Sequence, residues 1–398
     1  MKLSNRIEAM QFSPIRKLVP FAKEAKKRGV SVYHLNIGQP DIRTPNTFIL
    51  GINQYNAKVL EYGNSQGKDK LLKSFLKYYK EWGINFVKAD IMITNGGSEA
   101  IMFALMAICD LGDEIIIPEP FYTNYTGFAD MASVKIVPFI TKAEEGFHLP
   151  SKDIITSKIT SKTRAIMVSN PGNPTGVVYT QEEIRMLADI AKENNIFLIA
   201  DEVYREFVYD NLKYTSALYM TDALQNIILI DSISKRYSAC GARIGLVASK
   251  NKSLMHQILK LGQTRLCVPT IEQLAAANLI NTPKSYFVEV KKEYEERRNI
   301  LYKYLSEIPG VVCQKPTGAF YVVAKLPIEN ADEFAKWLLT DFEHNNKTIM
   351  VAPAEGFYST QGLGINEIRL SYCLNRTALK DAMEILGIAI AEYISIKN

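Results

Sequence analysis

Short apolar runs alternate with helix-periodic segments through the middle of the chain. This alternation is typical of βα units stacked on a largely parallel sheet. The runs predict seven strands, at 91–94, 114–117, 134–138, 164–169, 196–200, 226–231 and 243–248. We therefore expect an α/β fold in which a large domain is built on a mostly parallel seven-stranded sheet.

Two of the intervening segments predict helices with different surroundings. Thr180 and Glu183 form a capping-box pattern ahead of an amphipathic run that starts at Ile184, so this helix should cover one face of the sheet. Residues 98–110 are apolar on nearly every side and follow a glycine pair. A helix of that composition should be buried between the sheet and neighbouring elements.

The pattern changes after about residue 285. A charged helix, two strand-like runs and two further helices are predicted, at 291–305, 318–324, 367–373, 331–343 and 377–395. This mixture predicts a separate, smaller α+β domain. We expect a large domain at 45–285 and a small domain formed by 1–44 and 286–398, with the N-terminal segment closing over the active site.

Length and charge narrow the class of protein. A chain of 398 residues exceeds what one hydrophobic core usually supports, in agreement with two lobes. The net charge of +5 comes from Lys and Arg residues spread along the chain, and the densest runs are typical of solvated helix faces. We therefore expect no nucleic-acid partner.

Cysteine and histidine usage argues against a metal site. The five cysteines are isolated, without a CxxC pair, and the four histidines lie far apart. The N-terminus lacks the apolar core of a signal peptide, and no run approaches the roughly 18 apolar residues of a membrane span. We expect a soluble cytoplasmic protein that uses no metal and has no membrane partner.

Polar residues follow the predicted strands, at the edge where ligands bind in doubly wound folds. Gly97 and Ser98 come after strand 91–94 and could present backbone N–H groups to a phosphate; alone, they are better explained as a tight turn with a serine N-cap. Asp201 follows five apolar residues, so burial should raise its pKa unless a cation lies opposite, although a helix N-cap is the alternative.

Two further strand ends complete this set. Residues 170–176 are dense in turn formers and carry two amides, and the Ser234-Lys235 pair follows strand 226–231. A surface turn would explain any one of these residues. It explains poorly a set that supplies phosphate donors, amides, a carboxylate and a Ser-Lys pair at four strand ends.

Several motifs in this order resemble the class I/II aminotransferases of the pyridoxal-phosphate fold type I. The resemblance covers essentially the whole chain. It is carried by NPGNPTG at 170–176, ADEVY at 200–204, SISKRYSACGARIG at 232–245, NIGQPD at 36–41, YGNSQG at 62–67, PEPFYTNY at 118–125 and IRLSY at 368–372.

The resemblance implies pyridoxal 5′-phosphate as cofactor and assigns the catalytic residues. Lys235 matches the lysine that forms the Schiff base, and a lysine near cations and away from water should have a lowered pKa. Asp201 matches the carboxylate that keeps the pyridine nitrogen protonated. Asn173 and Tyr204 match the partners of the cofactor's phenolic oxygen, and Tyr122 matches the aromatic residue that stacks on the ring.

The resemblance also implies a phosphate cup and a shared active site. The cofactor-binding set includes Gly97, Ser98, Glu99, Ser232, Ser234 and Arg243. Tyr62 matches a residue that reaches the phosphate from the neighbouring subunit, which implies a homodimer.

Substrate residues follow in the same way. Arg369 matches the arginine that binds the substrate carboxylate, because a guanidinium pairs with a planar carboxylate through two hydrogen bonds. Gly38 should let the backbone approach that carboxylate, and Asn173 is a further contact. Arg16 lies in the N-terminal segment and either binds a distal carboxylate or is a surface arginine, with even odds.

Four residues depart from the pattern of the family. Arg236 and Tyr237 follow the lysine where many relatives carry smaller or different residues, and Ala354 and Glu355 replace a Pro-Gly-small pattern. We expect all four at the rim of the pocket, where they would affect the choice of substrate.

The resemblance implies transfer of an amino group from an L-amino acid, of aspartate or aromatic type with aspartate slightly ahead, to a 2-oxo acid such as 2-oxoglutarate. The alternative is a C–S β-lyase or an aminocyclopropane-carboxylate-synthase-like lyase, because the same cofactor site supports both chemistries. A ligand-sensing regulator is a poorer hypothesis, since the residues ahead of NIGQPD are too few for a winged helix.

Overall fold

The computed structural model describes residues 1–397. Its strands are β1 (Ser31–His34), β2 (Ile91–Thr94), β3 (Glu114–Glu119), β4 (Lys135–Ile140), β5 (Thr163–Ser169), β6 (Phe197–Asp201), β7 (Ile227–Ser232), β8 (Gly245–Ala248), β9 (Tyr321–Lys325), β10 (Lys347–Met350), β11 (Ala352–Pro353) and β12 (Glu367–Ser371). Its α-helices are α1 (Asn5–Ala9), α2 (Val19–Lys27), α3 (Asn46–Asn53), α4 (Asp69–Glu81), α5 (Gly96–Ile108), α6 (Asn124–Ala132), α7 (Lys152–Thr156), α8 (Gln181–Glu193), α9 (Ile233–Arg236), α10 (Lys252–Arg265), α11 (Thr270–Asn278), α12 (Lys284–Glu307), α13 (Ala331–Thr340) and α14 (Arg376–Lys397).

The central sheet has seven strands in the order β2-β8-β7-β6-β5-β3-β4. All pairings are parallel except the two that β8 makes with β2 and β7. The seven predicted strands and the mostly parallel sheet are therefore confirmed. β8 begins at Gly245 and not at 243, because Arg243 has a left-handed backbone with φ 52°.

Both faces of this sheet are covered by helices. Ile166 and Val168 of β5 belong to the core that includes α8, whereas Ala165 and Met167 belong to the core that includes α5. The predicted capping box at α8 is present, with reciprocal Thr180 and Glu183 hydrogen bonds. α5 is buried along most of its length, as its apolar composition predicts.

A second core lies among the N-terminal and C-terminal segments. β1 pairs with β10 in parallel, and β11, β12 and β9 form an antiparallel sheet packed with α12, α13 and α14. β1 and β10 escaped prediction because each has four residues and lacks a clear two-residue alternation. The domain boundaries at 45–285 stay a prediction. None of the helices in residues 1–397 is long and apolar enough to cross a membrane.

Candidate active site

The polar residues predicted at the strand ends meet at one edge of the seven-stranded sheet. β2, β5, β6 and β7 run in the same direction, so the segments that follow them lie on the same side. β8 runs in the opposite direction, which brings its start and the preceding Arg243 to this edge. These segments line a cavity of about 170 Å³.

The start of α5 gives this cavity an anion-binding surface. Gly97 and Ser98 lie in the first turn of the helix, whose backbone N–H groups have no partner within the helix. Arg243 adds a guanidinium at the same place, so close to Gly96 that a Cβ there would lie 2.3 Å from Nη2. Helix N-terminus and guanidinium together favour a phosphate.

Lys235 is held by a short helix that is anchored at its first residue. Ser232 caps α9: its Oγ accepts the N–H of Ser234 at 3.1 Å and donates to the carbonyl of Ile244 at 2.9 Å. Lys235 Nζ points into the cavity and donates to the carbonyl of Gly38 at 3.0 Å. The amine is therefore fixed between the sheet edge and the N-terminal segment.

The pKa of Lys235 differs from the expectation. Burial lowers it most, but the surrounding phenol and thiol groups, first Tyr321 and then Cys240, together outweigh burial and raise the pKa above its ordinary value. The prediction of a lowered pKa is therefore wrong for the protein alone, because phenol and thiol groups surround Nζ.

Asp201 ends β6 and faces the same cavity. Its Oδ2 accepts the hydroxyl of Tyr125 at 2.7 Å, and its Oδ1 accepts the N–H of Val203 at 3.4 Å. Burial raises the pKa of Asp201 to about 6, against the lowering effect of these hydrogen bonds. A cation opposite the carboxyl would compensate for this burial.

Arg369 comes from β12 and is almost fully buried. Its Nη1 donates to Oδ1 of Asn173 at 3.3 Å and its Nη2 donates to the carbonyl of Asn36 at 2.5 Å. Within the described residues its Nε has no partner. Burial lowers the pKa of this guanidinium, against the raising effect of Tyr321 and Tyr204. The arrangement favours a planar anion that pairs with two nitrogens.

Comparison with known proteins decides the family. The model of the family described as aminotransferase class I and II matches residues 30–386. The chain belongs to this family.

The aspartate aminotransferase of Bacillus subtilis is 31% identical over 395 residues, which cover 96% of this chain and 98% of that protein. Aromatic-amino-acid aminotransferase 2 of Thermococcus litoralis is 30% identical over 395 residues, covering 96% and 97%. The structure of Thermus thermophilus aspartate aminotransferase with maleate superposes with a TM-score of 0.88 at 26% identity, covering 98% of this chain and 100% of that one.

These findings confirm the fold class and the reaction type. The protein has the aspartate aminotransferase fold and is an aminotransferase, which transfers an amino group between an amino acid and a 2-oxo acid. The lyase alternative finds no better support among the relatives.

Ten of the predicted site residues of this aminotransferase line the cavity: Gly97, Ser98, Tyr122, Asn173, Asp201, Tyr204, Ser232, Ser234, Lys235 and Arg243. Gly38 and Arg369 contact lining residues through the bonds described above. The other three predicted residues neither line the cavity nor hydrogen-bond to a residue that lines it. Glu99 accepts the N–H of Asn95 at 2.8 Å and the Arg265 side chain, and Tyr62 and Arg16 are exposed. All these roles stay predictions.

The four departures lie elsewhere than expected. Arg236 and Tyr237 are buried and do not line the cavity: Arg236 pairs with Asp231, and Tyr237 packs on aromatic rings of α12. Ala354 is fully buried, and exposed Glu355 borders a separate groove beside the N-terminal segment. The prediction of a position at the rim of this cavity is therefore wrong for these residues.

Two site residues escaped the sequence analysis. Tyr125 follows Tyr122 by three residues: a turn joins the two, and Tyr125 lies at the start of α6, where it bonds Asp201. This spacing of three residues could have found it. Tyr321 starts β9 and lines the cavity from the other core, and no local pattern marks it. The position of Tyr321 at the site depends on the pairing of β9 with the distant strand β12.

Proposed function

We propose that this aminotransferase uses pyridoxal 5′-phosphate to transfer the amino group of L-aspartate, or of an aromatic amino acid, to 2-oxoglutarate. The observation that carries the proposal is the position of Arg369. Its buried guanidinium has an Nε that finds no partner among residues 1–397 and is bonded to Asn173, which lines the cavity that also holds Lys235 and Asp201. A carboxylate-binding arginine and a reactive amine at one cavity suit an amino acid.

The residues present fit the cofactor. The α5 N-terminus, Arg243 and Ser232 suit its phosphate, and the buried Asp201 suits the protonated ring nitrogen. Asn173 and Tyr204 supply polar atoms for the phenolic oxygen. When bound, the cofactor supplies an electron sink that lets the substrate α-carbon lose a proton.

The protein's own groups have distinct tasks in this proposal. Lys235 would hold the cofactor through Nζ and, as a free amine, would take the proton from the substrate α-carbon at that atom. Arg369 fixes the α-carboxylate and so orients the bond to be broken. Burial of the cavity residues excludes water, which strengthens each of these charge interactions.

The choice of donor rests on the relatives. Proteins similar to this chain are named aspartate aminotransferase and aromatic-amino-acid aminotransferase, and one was solved with maleate, a dicarboxylate. Among the described residues lining the cavity, Lys235 and Arg243 are the cationic ones. A distal substrate carboxylate would need a further cation, which exposed Arg16 would supply on closure of the N-terminal segment.

We further propose a homodimer that resides in the cytoplasm. Tyr62 is 82% exposed, and apolar side chains of α3 and of the segment between α3 and Tyr62 are exposed as well. This surface includes Ile49, Leu50, Ile52, Val59 and Leu60. A second copy would bury it and bring Tyr62 to a neighbouring phosphate site. The five cysteines are unpaired, which suits a reducing compartment.

The test compares kcat/KM for aspartate, tyrosine, phenylalanine, alanine and cysteine with 2-oxoglutarate as acceptor. The proposal predicts the highest values for aspartate or the aromatic donors, with aspartate ahead. Highest activity with alanine would refute the donor assignment. Release of pyruvate and ammonia from cysteine without amino transfer would refute the reaction.

A further inference from the structure

Tyr321 lies outside the sequence motifs that the chain shares with its family, yet it contacts three residues of the candidate active site. Tyr321 is only 3% exposed, and it lines the cavity although it belongs to β9 in the second core. Its partners are Tyr204, Gly38 and Arg369.

The hydroxyl of Tyr321 contacts the hydroxyl of Tyr204. The two oxygens are 2.9 Å apart, and the rings meet edge to face with centroids 5.7 Å apart. Each tyrosine has one hydroxyl proton. If Tyr204 donates its proton to the cofactor's phenolic oxygen, Tyr321 must be the donor to Tyr204. A hydrogen bond received by Tyr204 strengthens the one that it donates.

The ring of Tyr321 holds the substrate arginine. Tyr321 and Arg369 lie diagonally on the paired strands β9 and β12, so their side chains share one face. The Arg369 guanidinium carbon is 4.6 Å from the centre of the Tyr321 ring and 5.0 Å from that of Phe357. Two aromatic rings thus hold the guanidinium.

Gly38 completes the arrangement. A Cβ at Gly38 would lie 1.8 Å from Oη of Tyr321, so only glycine lets the N-terminal segment lie against this ring. The carbonyl of Gly38 accepts Lys235 Nζ at 3.0 Å and is a second acceptor for the Tyr321 hydroxyl at 3.5 Å. Because the Tyr204 oxygen lies closer, at 2.9 Å, the single proton of Tyr321 is directed to Tyr204 when Tyr204 donates its own to the cofactor. Tyr321 therefore contacts three residues of the site: Gly38, which accepts the Lys235 amine, Tyr204, which faces the cofactor's phenolic oxygen in the proposed function, and Arg369, which faces the substrate carboxylate.

We propose that Tyr321 is a positioning residue with two separable functions: its hydroxyl sets the strength of the Tyr204 hydrogen bond to the cofactor, and its ring orients Arg369 toward the substrate carboxylate. The inference rests on the proposed function. It assigns the hydroxyl to the acid–base behaviour of the bound cofactor and the ring to carboxylate binding.

The hydroxyl function is tested with Tyr321→Phe. The measurement is the pH midpoint of the absorbance change of the cofactor linked to Lys235. A donor to the phenolic oxygen favours the deprotonated form, in which that oxygen carries the full negative charge, so weakening Tyr204 should raise the midpoint. We expect a rise of about 0.1–0.7 pH unit. In a Tyr204→Phe background the same change should have no further effect.

Tyr294→Phe is the matched control. Tyr294 is buried in the same aromatic cluster, and its hydroxyl has no partner within the described residues. This variant should keep the wild-type midpoint. An equal midpoint in Tyr321→Phe and Tyr294→Phe, or an undiminished shift in the Tyr204→Phe background, would overturn the hydroxyl function.

The ring function is tested with Tyr321→Leu, by titrating maleate into the cofactor-loaded enzyme and following absorbance. We expect about a tenfold weaker Kd for maleate in Tyr321→Leu and a change of less than about twofold in Tyr321→Phe, which keeps the ring. Equal Kd values in wild type and Tyr321→Leu would overturn the ring function. If wild type neither forms the absorbance band nor transfers amino groups, the proposed function fails instead.

Discussion

Asp201 shows at the residue scale how position on the sheet changes the chemistry of a carboxyl. It follows four buried or half-buried residues of β6 and is itself buried, so its pKa is raised to about 6 from 3.8. Because the folded-state pKa is the higher one, the protonated form stabilises the fold. This contribution is complete below 3.8 and is lost as the pH rises through about 6.

This shift predicts how the cofactor-free protein responds to Asp201→Asn. The variant removes the cost of a buried unpaired charge, so its stability relative to wild type should increase by about 2.4 kcal/mol between pH 4 and pH 7. Urea unfolding of both cofactor-free proteins across this range measures the difference. A difference that stays constant with pH would contradict the raised pKa.

Arg369 allows a second prediction at this scale. Arg369→Lys keeps the charge but loses the pairing of two nitrogens with one carboxylate. KM for the amino donor should rise by roughly 10- to 100-fold, the equivalent of about 1.5–3 kcal/mol. Steady-state kinetics with aspartate checks this, and an unchanged KM would show that Arg369 does not bind the substrate.

At the scale of elements, α9 depends on a buried charge network. Arg236, the residue after Lys235, donates to both oxygens of Asp231 at 2.7 and 2.9 Å, and Tyr79 donates to the same carboxylate at 2.5 Å. Burial works to raise the pKa of Asp231, but Arg236, together with Arg205 and the hydrogen bond from Tyr79, outweighs burial, and the pKa is lowered. The pair ties the end of α9 to the end of β7.

Removing one partner of this pair should be costly. Arg236→Met leaves Asp231 buried without its cation, so we expect a loss of about 3–5 kcal/mol in the free energy of unfolding. Lys152→Met is the control, because its ion pair with Glu193 is exposed and should contribute no more than about 1 kcal/mol. Urea unfolding measures both. Similar losses in the two variants would show that the buried pair does not support α9.

The sequence allowed elements to be predicted where they carry a strong pattern. The seven strands of the large sheet and the capping box of α8 were predicted because apolar runs and caps are local signals. β1 and β10 were missed because pairing between distant segments leaves no local mark. Tyr321 was missed for the same reason, and Arg236 was misplaced because burial depends on Asp231 and on the aromatic residues of α4.

At the scale of the whole molecule, the proposed dimer makes a prediction about mixed subunits. Lys235→Ala and Tyr62→Ala homodimers should each have impaired sites. If Tyr62 acts on the partner's phosphate, a mixed dimer has one site with both changes and one intact site. When equal amounts of the two variants exchange subunits at random, about half of the dimers are mixed, and each mixed dimer has one intact site. About a quarter of all sites should therefore be active, as measured at limiting cofactor.

The two homodimers, unmixed and at the same concentration, are the control for this experiment. No gain in activity on mixing, with mixed dimers shown to form, would contradict a shared active site. A gain would place Tyr62 at the site of the partner subunit.

The most direct test of the central claim is a single half-reaction. The protein is loaded with pyridoxal 5′-phosphate and mixed with aspartate in the absence of any 2-oxo acid, and absorbance is followed for wild type and Lys235→Ala. We predict that wild type converts the cofactor to its amino form with one equivalent of oxaloacetate, and that Lys235→Ala does not turn over. Conversion at the wild-type rate by Lys235→Ala would contradict the assignment of Lys235.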